Sequence, residues 1–381
     1  MNRKILLTTP TFPPINSGLG NAVQQLAKFI SEQGWDVVVA TGGGARNQYK
    51  DILSGALVEQ FNISGADSMA QPLQGDIDSY VHYLKSSQFD VILMNAWQTW
   101  STDIVLSHCE KINGKKLLYS HCISTNSIVG PPTLRSLIRY LAWRPYWWSL
   151  SKKIPMLDGI IFLAADGCDA RFDDARLAKR LGVNQIVIPN TLSVDSFSRA
   201  FTGSSSFMKR GGILSVGAYD WQKGHDFVLR VYAKSKLKNK VRLDIYGQKF
   251  TSFSQDLRNL STCLGLDPRW VQIHEGISQS DLLDEYSKAR IFLYGSHTEC
   301  QPLVLLDSMA AGTPFISRAS GSVPFMKGGI AVRSEEQAAE VIDRLYKSES
   351  EWSRLSAAGQ NEVIENHSPD KVMKLLSAAL G

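Results

Sequence analysis

The sequence predicts an α/β protein made of two parallel-sheet domains in tandem, and three observations lead there. Short apolar runs alternate with stretches of helical spacing from residue 4 to 188, as expected for strands covered by helices on both faces. The pattern breaks in a Ser- and Gly-rich stretch, 193–212, which suits a linker, and then resumes. The chain's 381 residues also exceed one ordinary core and suit two domains of roughly 150–200 residues each.

The first strand is expected at 4–8, followed by a loop rich in Pro, Gly and Ser at 10–20. Residues 21–33 carry Ala22, Val23, Leu26, Ala27, Phe29 and Ile30 on one helical face, closed by Gly34. Further buried strands are expected at 37–40, 91–94, 116–119, 159–163 and 185–188. The second set is expected at 212–216, 242–246, 271–274, 291–294 and 314–317, with a closing helix at Pro369–Leu380. The expected domains are 1–192 and 193–367, with 368–381 packing back on the first.

Composition narrows the function classes. Apolar content of 44% and charged content of 20% suit a soluble globular chain, and a net charge of +5 is too small to imply nucleic acid. Five scattered cysteines lack metal-ligand spacing and read as reduced thiols of a cytoplasmic protein, without a zinc site. The apolar run 5–7 is a strand rather than a signal peptide, and no run reaches the length needed to cross a bilayer.

The chemistry concentrates after the expected strand 291–294. Glu299 and Asp307 lie eight positions apart, at either end of a loop-to-helix corner, with Cys300, Gln301, Pro302, Leu303 and Val304 between them. Two carboxylates so placed suit a nucleotide sugar: one holds sugar hydroxyls, the other a ribose diol. Free N–H groups at the helix start would face the phosphates. Pro302 fits a first helical turn, while Gly312 and Pro314 fit its end. A second cluster, Gly217-Ala218-Tyr219-Asp220-Trp221-Gln222-Lys223-Gly224, follows the strand at 212–216. A third, Ser17-Gly18-Leu19-Gly20, precedes the first helix and lets a backbone approach a ligand closely. His121 follows the strand at 116–119, at a carboxyl end where open parallel sheets bind ligands.

These ordered landmarks resemble the retaining glycosyltransferases of the GT-B fold, family 4 (glycosyl transferases group 1), whose signature is two acids separated by seven residues. The resemblance implies two Rossmann-like domains facing each other across a cleft. It also implies hexosyl transfer from a nucleotide diphosphate sugar to a hydroxyl of a glycan or lipid-linked acceptor, without metal or cofactor. In the family's terms Lys223 carries phosphate charge, Glu299 orients the sugar, Asp307 holds the ribose, and His121 lines the donor pocket. Gly18, Gly20, Gly217 and residues Cys300, Gln301, Pro302, Leu303 and Val304 complete the donor contacts. The chain departs from the pattern at three places. Cys300-Gln301-Pro302 replaces a Gly-aromatic-Gly run, Asp307 replaces Glu, and Ala218 stands where an Arg completes the phosphate clamp. Arg318, Arg210 or His225 are the substitutes for that cation. Ile188-Pro189-Asn190-Thr191 resembles the family's hinge landmark.

Residues 134–154 carry Arg135, Arg139, Arg144, Lys152 and Lys153 with no acid, interleaved with Trp143, Trp147 and Trp148. Such a stretch suits an anionic membrane surface, here the inner face of the cytoplasmic membrane. The competing reading is a helix packed on its domain by Leu134, Leu137, Ile138 and Leu141. Single-stranded nucleic acid is disfavoured because nothing else supports it. A nicotinamide dehydrogenase is disfavoured because Val23 stands where a third glycine is required. A nucleotide-sugar 2-epimerase lacks the acid pair. The remaining alternative is a non-catalytic nucleotide-sugar-binding partner in a glycosyltransferase complex. The favoured role is cell-surface polysaccharide biosynthesis.

Overall fold

A computed structural model describes residues 3–15, 17–44, 46–124, 126–128, 133–194, 196–198 and 206–381. The expected linker, 193–212, lies in part outside them. Contacts divide the chain into two units. One comprises Met1–Ala165, Ala170–Ile188 and Leu375–Gly381, the other Asp166–Asp169 and Pro189–Lys374.

The first unit holds the strands β1 (Lys4–Thr9), β2 (Asp36–Gly42), β3 (Asn47–Lys50), β4 (Leu57–Phe61), β5 (Ile63–Ser64), β6 (Gln74–Gly75), β7 (Val91–Asn95), β8 (Lys115–Ser120), β9 (Gly159–Phe162) and β10 (Gln185–Val187). Eight of them form one sheet in the order β10-β9-β8-β7-β1-β2-β4-β3, with β5 and β6 paired apart. All pairs in the large sheet are parallel except β3 with β4. The central strands read as unbroken Ile, Leu and Val because helices cover both their faces. These are α1 (Gly18–Glu32), α2 (Ile77–Ser86), α3 (Trp100–Ser107), α4 (Leu134–Lys153) and α5 (Asp173–Arg180). Ile5, Leu6, Leu7, Ile92, Leu93, Leu117 and Leu118 are fully enclosed. Each such side chain contributes about 1.5–3 kcal/mol by burial.

Helix α1 starts three residues before the spacing suggests. Ser17 caps it, accepting from Gly20 N at 2.9 Å, so Gly18 and Gly20 form its first turn instead of an open loop. Glycine is required at position 20, where a Cβ would sit 2.8 Å from Ser17 Oγ and 2.9 Å from Thr11 O. The edge strand β3 and its neighbour β4 have no counterpart among the expected elements.

The second unit holds β11 (Gly211–Val216), β12 (Leu243–Gly247), β13 (Val271–Glu275), β14 (Ala289–Tyr294), β15 (Phe315–Arg318) and β16 (Gly329–Val332). They form one all-parallel sheet in the order β13-β12-β11-β14-β15-β16. The chain winds outward from β11 through β13, then returns to β14 at the other side of β11. That reversal is a topological switch point, and its carboxyl ends form a ligand-binding crevice in doubly wound folds. The helices are α6 (His225–Lys234), α7 (Ser252–Cys263), α8 (Gln279–Lys288), α9 (Leu303–Ala310), α10 (Glu335–Leu345), α11 (Glu349–Asn366) and α12 (Pro369–Leu380). The last begins in this unit, and its final residues are grouped with the first.

Candidate functional site

The second unit's site grows from the switch point between β11 and β14. Two loops leave these strands and are pinned together by glycine. A Cβ on Gly224 would lie 2.0 Å from Gly295 O, and one on Gly295 would lie 2.0 Å from Gly224 O. Only two bare backbones pass so close. Gly224 also has φ 63°, which ends the short turn Trp221–Lys223 that Asp220 caps by accepting from Lys223 N at 3.1 Å. His297 N and Ser296 Oγ both donate to Gln222 O, at 2.8 and 3.0 Å, and the Trp221 and His297 rings stack 4.2 Å apart.

This clamp brings Lys223 Nζ to 2.8 Å from Glu299 Oε1. The same oxygen accepts from Tyr294 OH at 2.5 Å and from Ser296 Oγ at 2.8 Å. Burial first, and then the Glu299 charge, hold the Tyr294 hydroxyl well above its ordinary pKa, so it stays a donor. One carboxylate oxygen thus takes three donors, which fixes the plane of the group. The other, Oε2, has no hydrogen bond among the described residues.

Asp307 sits on α9, where the helix pattern puts Leu303, Val304 and Asp307 on its more accessible side and Leu305 and Leu306 in the core. Its carboxylate makes no hydrogen bond among the described residues, and burial pushes it up to about 7. An acid left without a donor at the edge of a core is costly unless a ligand supplies one. Pro302 stands at the N-cap with extended backbone, one position before the first turn. Gly312, with φ 68°, follows the helix end as expected.

Other expected donor contacts fare differently. Gln301 is buried and engaged with Asn190: its Oε1 accepts from Asn190 N at 2.6 Å, and its carbonyl accepts from Asn190 Nδ2 at 2.9 Å. Cys300 and Pro302 are buried, while Leu303 is exposed. Gly217 lies beside Lys223, since a Cβ there would meet Lys223 Cβ at 3.3 Å.

Two of the three substitute cations are corrected by their surroundings. Arg210 is 2% exposed and donates to Ala311 O at 2.6 Å, to Ala289 O at 3.3 Å, to Tyr286 O and to Thr313 Oγ1. Ala311 is the C-cap of α9, so this guanidinium closes a helix end rather than meeting phosphate. His225 is enclosed, and burial pushes it down to about 4, so it is neutral near pH 7. Its Nε2–H donates to Gly217 O at 3.2 Å, which leaves Nδ1 to accept from Ser215 Oγ at 3.4 Å. Arg318 remains, 4.3 Å above the Phe227 ring and bonded to the His297 imidazole.

In the first unit His121 follows β8, stacked on Tyr119 with ring centroids 4.9 Å apart. Its Nε2 is enclosed without a partner among the described residues, and burial pushes the ring down to about 4, so it stays neutral. Gly18 and Gly20 lie beyond β1 at the same carboxyl edge of the sheet, with β7 between the two strands.

The expected membrane residues divide. Trp143, Trp147 and Lys153 are buried, which corrects their assignment to a surface. Lys153 Nζ lies 2.9 Å from Asp67 and 3.8 Å from Asp103, whose carboxyl burial pushes up to about 6. Arg135, Arg139, Trp148 and Lys152 are exposed, and Arg144 is half-buried against Asn126 and Tyr140. The residues expected to pack in the competing reading, Leu134, Leu137, Ile138 and Leu141, are exposed as well. No described helix is long and apolar enough to cross a membrane. Cys109, Cys168 and Cys263 stand outside any disulfide, whereas Cys122 and Cys300 do not, against the expectation of five reduced cysteines.

Tyr294 and Ser296 were missed by the sequence reading. A tyrosine ending an otherwise aliphatic strand, and a serine three positions before the acid, were the available signals.

Residues 210–348, which span the Lys223, Glu299 and Asp307 positions, match the family model described as Glycosyl transferases group 1. Similar solved structures include the sucrose-phosphate synthase of Thermosynechococcus elongatus, at 17% identity and TM-score 0.72, covering 99% of this chain and 98% of that one. A glycosyltransferase from Rickettsia africae shares 15% identity at TM-score 0.72, covering 100% and 98%. The Anabaena protein HepE, solved in complex with UDP-glucose, shares 13% identity at TM-score 0.65, covering 99% of each chain. Comparison with curated protein sequences gives no match. Two doubly wound sheets and these structural likenesses give the chain the GT-B fold, and its residues 210–348, which carry the acid pair, are similar to glycosyl transferases group 1.

Proposed function

We propose that this chain is a retaining hexosyltransferase that moves a sugar from a nucleotide diphosphate to a hydroxyl of a glycan or lipid-linked acceptor. The observation that carries the reading is the Lys223–Glu299 pair at the β11–β14 switch point, followed on α9 by an acid without a donor. An incoming diphosphate competes with Glu299 for the Lys223 ammonium and is neutralised by it as it departs, so no metal is invoked for that charge. Glu299, held through Oε1 by Tyr294 and Ser296, keeps Oε2 to accept from sugar hydroxyls. Asp307 accepts from the ribose diol. His121, neutral and with Nε2 without a partner among the described residues, is assigned to a donor sugar oxygen. Retention follows from attack on the leaving-group face, with no protein nucleophile and no cofactor. HepE, solved in complex with UDP-glucose, makes UDP-hexoses the first donors to test. The setting is the cytoplasm, in the assembly of cell-surface polysaccharide.

Purified chain incubated with labelled nucleotide sugars and lipid-linked acceptors tests this reading. Transfer that persists in both Lys223→Ala and Glu299→Ala removes the site. A second reading, a non-catalytic nucleotide-sugar-binding partner, is favoured by Ala218 in the clamp and by the engagement of Arg210 and His225 elsewhere. Nucleotide-sugar binding with neither transfer nor hydrolysis selects it.

A further inference from the structure

Helix α4 carries two apolar faces, and the fold uses only one. Its buried face is Trp143, Tyr146, Trp147, Leu150 and Lys153. On the opposite face Leu134, Leu137, Ile138, Leu141, Pro145 and Trp148 recur every third or fourth residue, and all are exposed; Leu134 is 74% and Trp148 67% accessible. This stripe runs for about 20 Å along the helix. From Thr133 to Ala142 no residue is buried, yet the helix is properly begun. Thr133 Oγ1 accepts from Ser136 N at 3.1 Å, and Ser136 Oγ accepts from Thr133 N at 2.8 Å. Two and a half helical turns that bury nothing are marginal alone, so an apolar stripe there needs an external surface. Beside Pro145 and Tyr146 the surface continues into a cavity of about 410 Å³ lined by Met69, Pro72 and Leu73.

We infer that α4 lies along an anionic bilayer surface, with this stripe set into the headgroup boundary. Charge selects the occupant. Lys152 falls on the line of the stripe and Arg135 at its margin, both exposed, and the helix has no acid along its whole length. Basic side chains flanking an apolar face meet anionic headgroups, and their stems and the Trp148 ring suit the boundary layer. A symmetric pairing of two copies through the same face would set these cations against their own counterparts. The inference is independent of donor chemistry and gives the proposed transferase its access to lipid-linked acceptors.

Flotation of the full chain with phosphatidylcholine vesicles, with and without phosphatidylglycerol, tests it. The chain should float with the anionic vesicles. Leu137→Ser/Ile138→Ser/Leu141→Ser and Arg135→Ser/Lys152→Ser should each lower partitioning about tenfold or more. All five positions are exposed, and circular dichroism together with UDP binding confirms that each variant is folded. Unchanged partitioning in either variant overturns the inference. So does a solution dimer that the triple variant abolishes while vesicles bind nothing. Transfer to a soluble acceptor should survive both variants; its absence in the parent chain would count against the transferase reading alone.

Discussion

Lys223 Nζ and Glu299 Oε1 lie 2.8 Å apart across two loops whose backbones touch at Gly224 and Gly295. The pair is half-buried, and each partner comes from a different strand of the switch point. In the absence of donor the two charges satisfy each other. A diphosphate that takes the lysine also frees the acid for the sugar, so one displacement readies both groups.

Lys223→Ala should therefore lower kcat/KM by about 10²–10³, the scale for losing a preorganised charge at a leaving group. Stability should change by less than about 1 kcal/mol, as for a partly exposed ion pair. Steady-state kinetics beside thermal denaturation separates the two effects. A large loss of stability with unchanged kcat/KM would make the pair a structural brace.

Tyr294→Phe and Ser296→Ala each remove one hydrogen bond to Glu299 Oε1 and leave the loop packing in place. A hydrogen bond to a charged group is worth roughly 1.5–3 kcal/mol, so each change should cost about tenfold or more in kcat/KM. In the double variant the losses should fall short of additive, because both donors hold one oxygen. Rates equal to the parent's would show that Glu299 does not need its plane fixed.

Much of this was legible in the sequence, because local pattern encodes it: the alternating strands and helices, the acid-bearing corner and the Lys223 turn. What was not legible depends on distant partners. Arg210 reads as a free cation, yet its acceptors are carbonyls at 286, 289 and 311. Lys153 reads as surface, yet Asp67 and Asp103 draw it inside. Helix α4 offers apolar residues on both faces, so periodicity alone could not say which face meets the core. Trp148 faces outward, whereas Trp143 and Trp147 face the core. Helix α1 began early because Ser17, set among prolines and glycines, acts as its cap.

Arg210→Met tests the structural assignment of that residue. Removing the guanidinium strands the Ala311 carbonyl in the core, at about 1–3 kcal/mol for a group left unpaired, while Thr313 Oγ1 still donates to Tyr286 O and Ala289 O. The midpoint of chemical denaturation should fall accordingly, for a loss of about 1–3 kcal/mol in stability. The KM for donor, measured well below the melting transition, should stay within about twofold of the parent's. A raised KM in a fully folded variant would return Arg210 to the phosphate clamp.

Asp307 links stability, pH and the ligand. Its carboxyl is pushed up to about 7 by burial, against 3.8 for an ordinary aspartate. The folded chain therefore holds a proton that the unfolded chain gives up, and this contribution to stability is complete below about pH 4. It is lost as pH rises through 7. Asp307→Asn removes the penalty for burying the charge. At pH 8 the variant should be more stable than the parent by about 1–2 kcal/mol, the full shift being reduced by partial solvent contact. The difference should close as pH falls towards 4. Nucleotide binding should move the opposite way. A ribose diol donates to the charged form, so UDP should bind the parent more tightly as pH rises through 7, while Asp307→Asn should show a weaker and flatter profile. Thermal denaturation and calorimetric titration across pH 5–9 measure both trends. Equal UDP affinity in parent and variant at pH 8 would detach this acid from the ribose and leave its unpaired carboxylate without a function at the site.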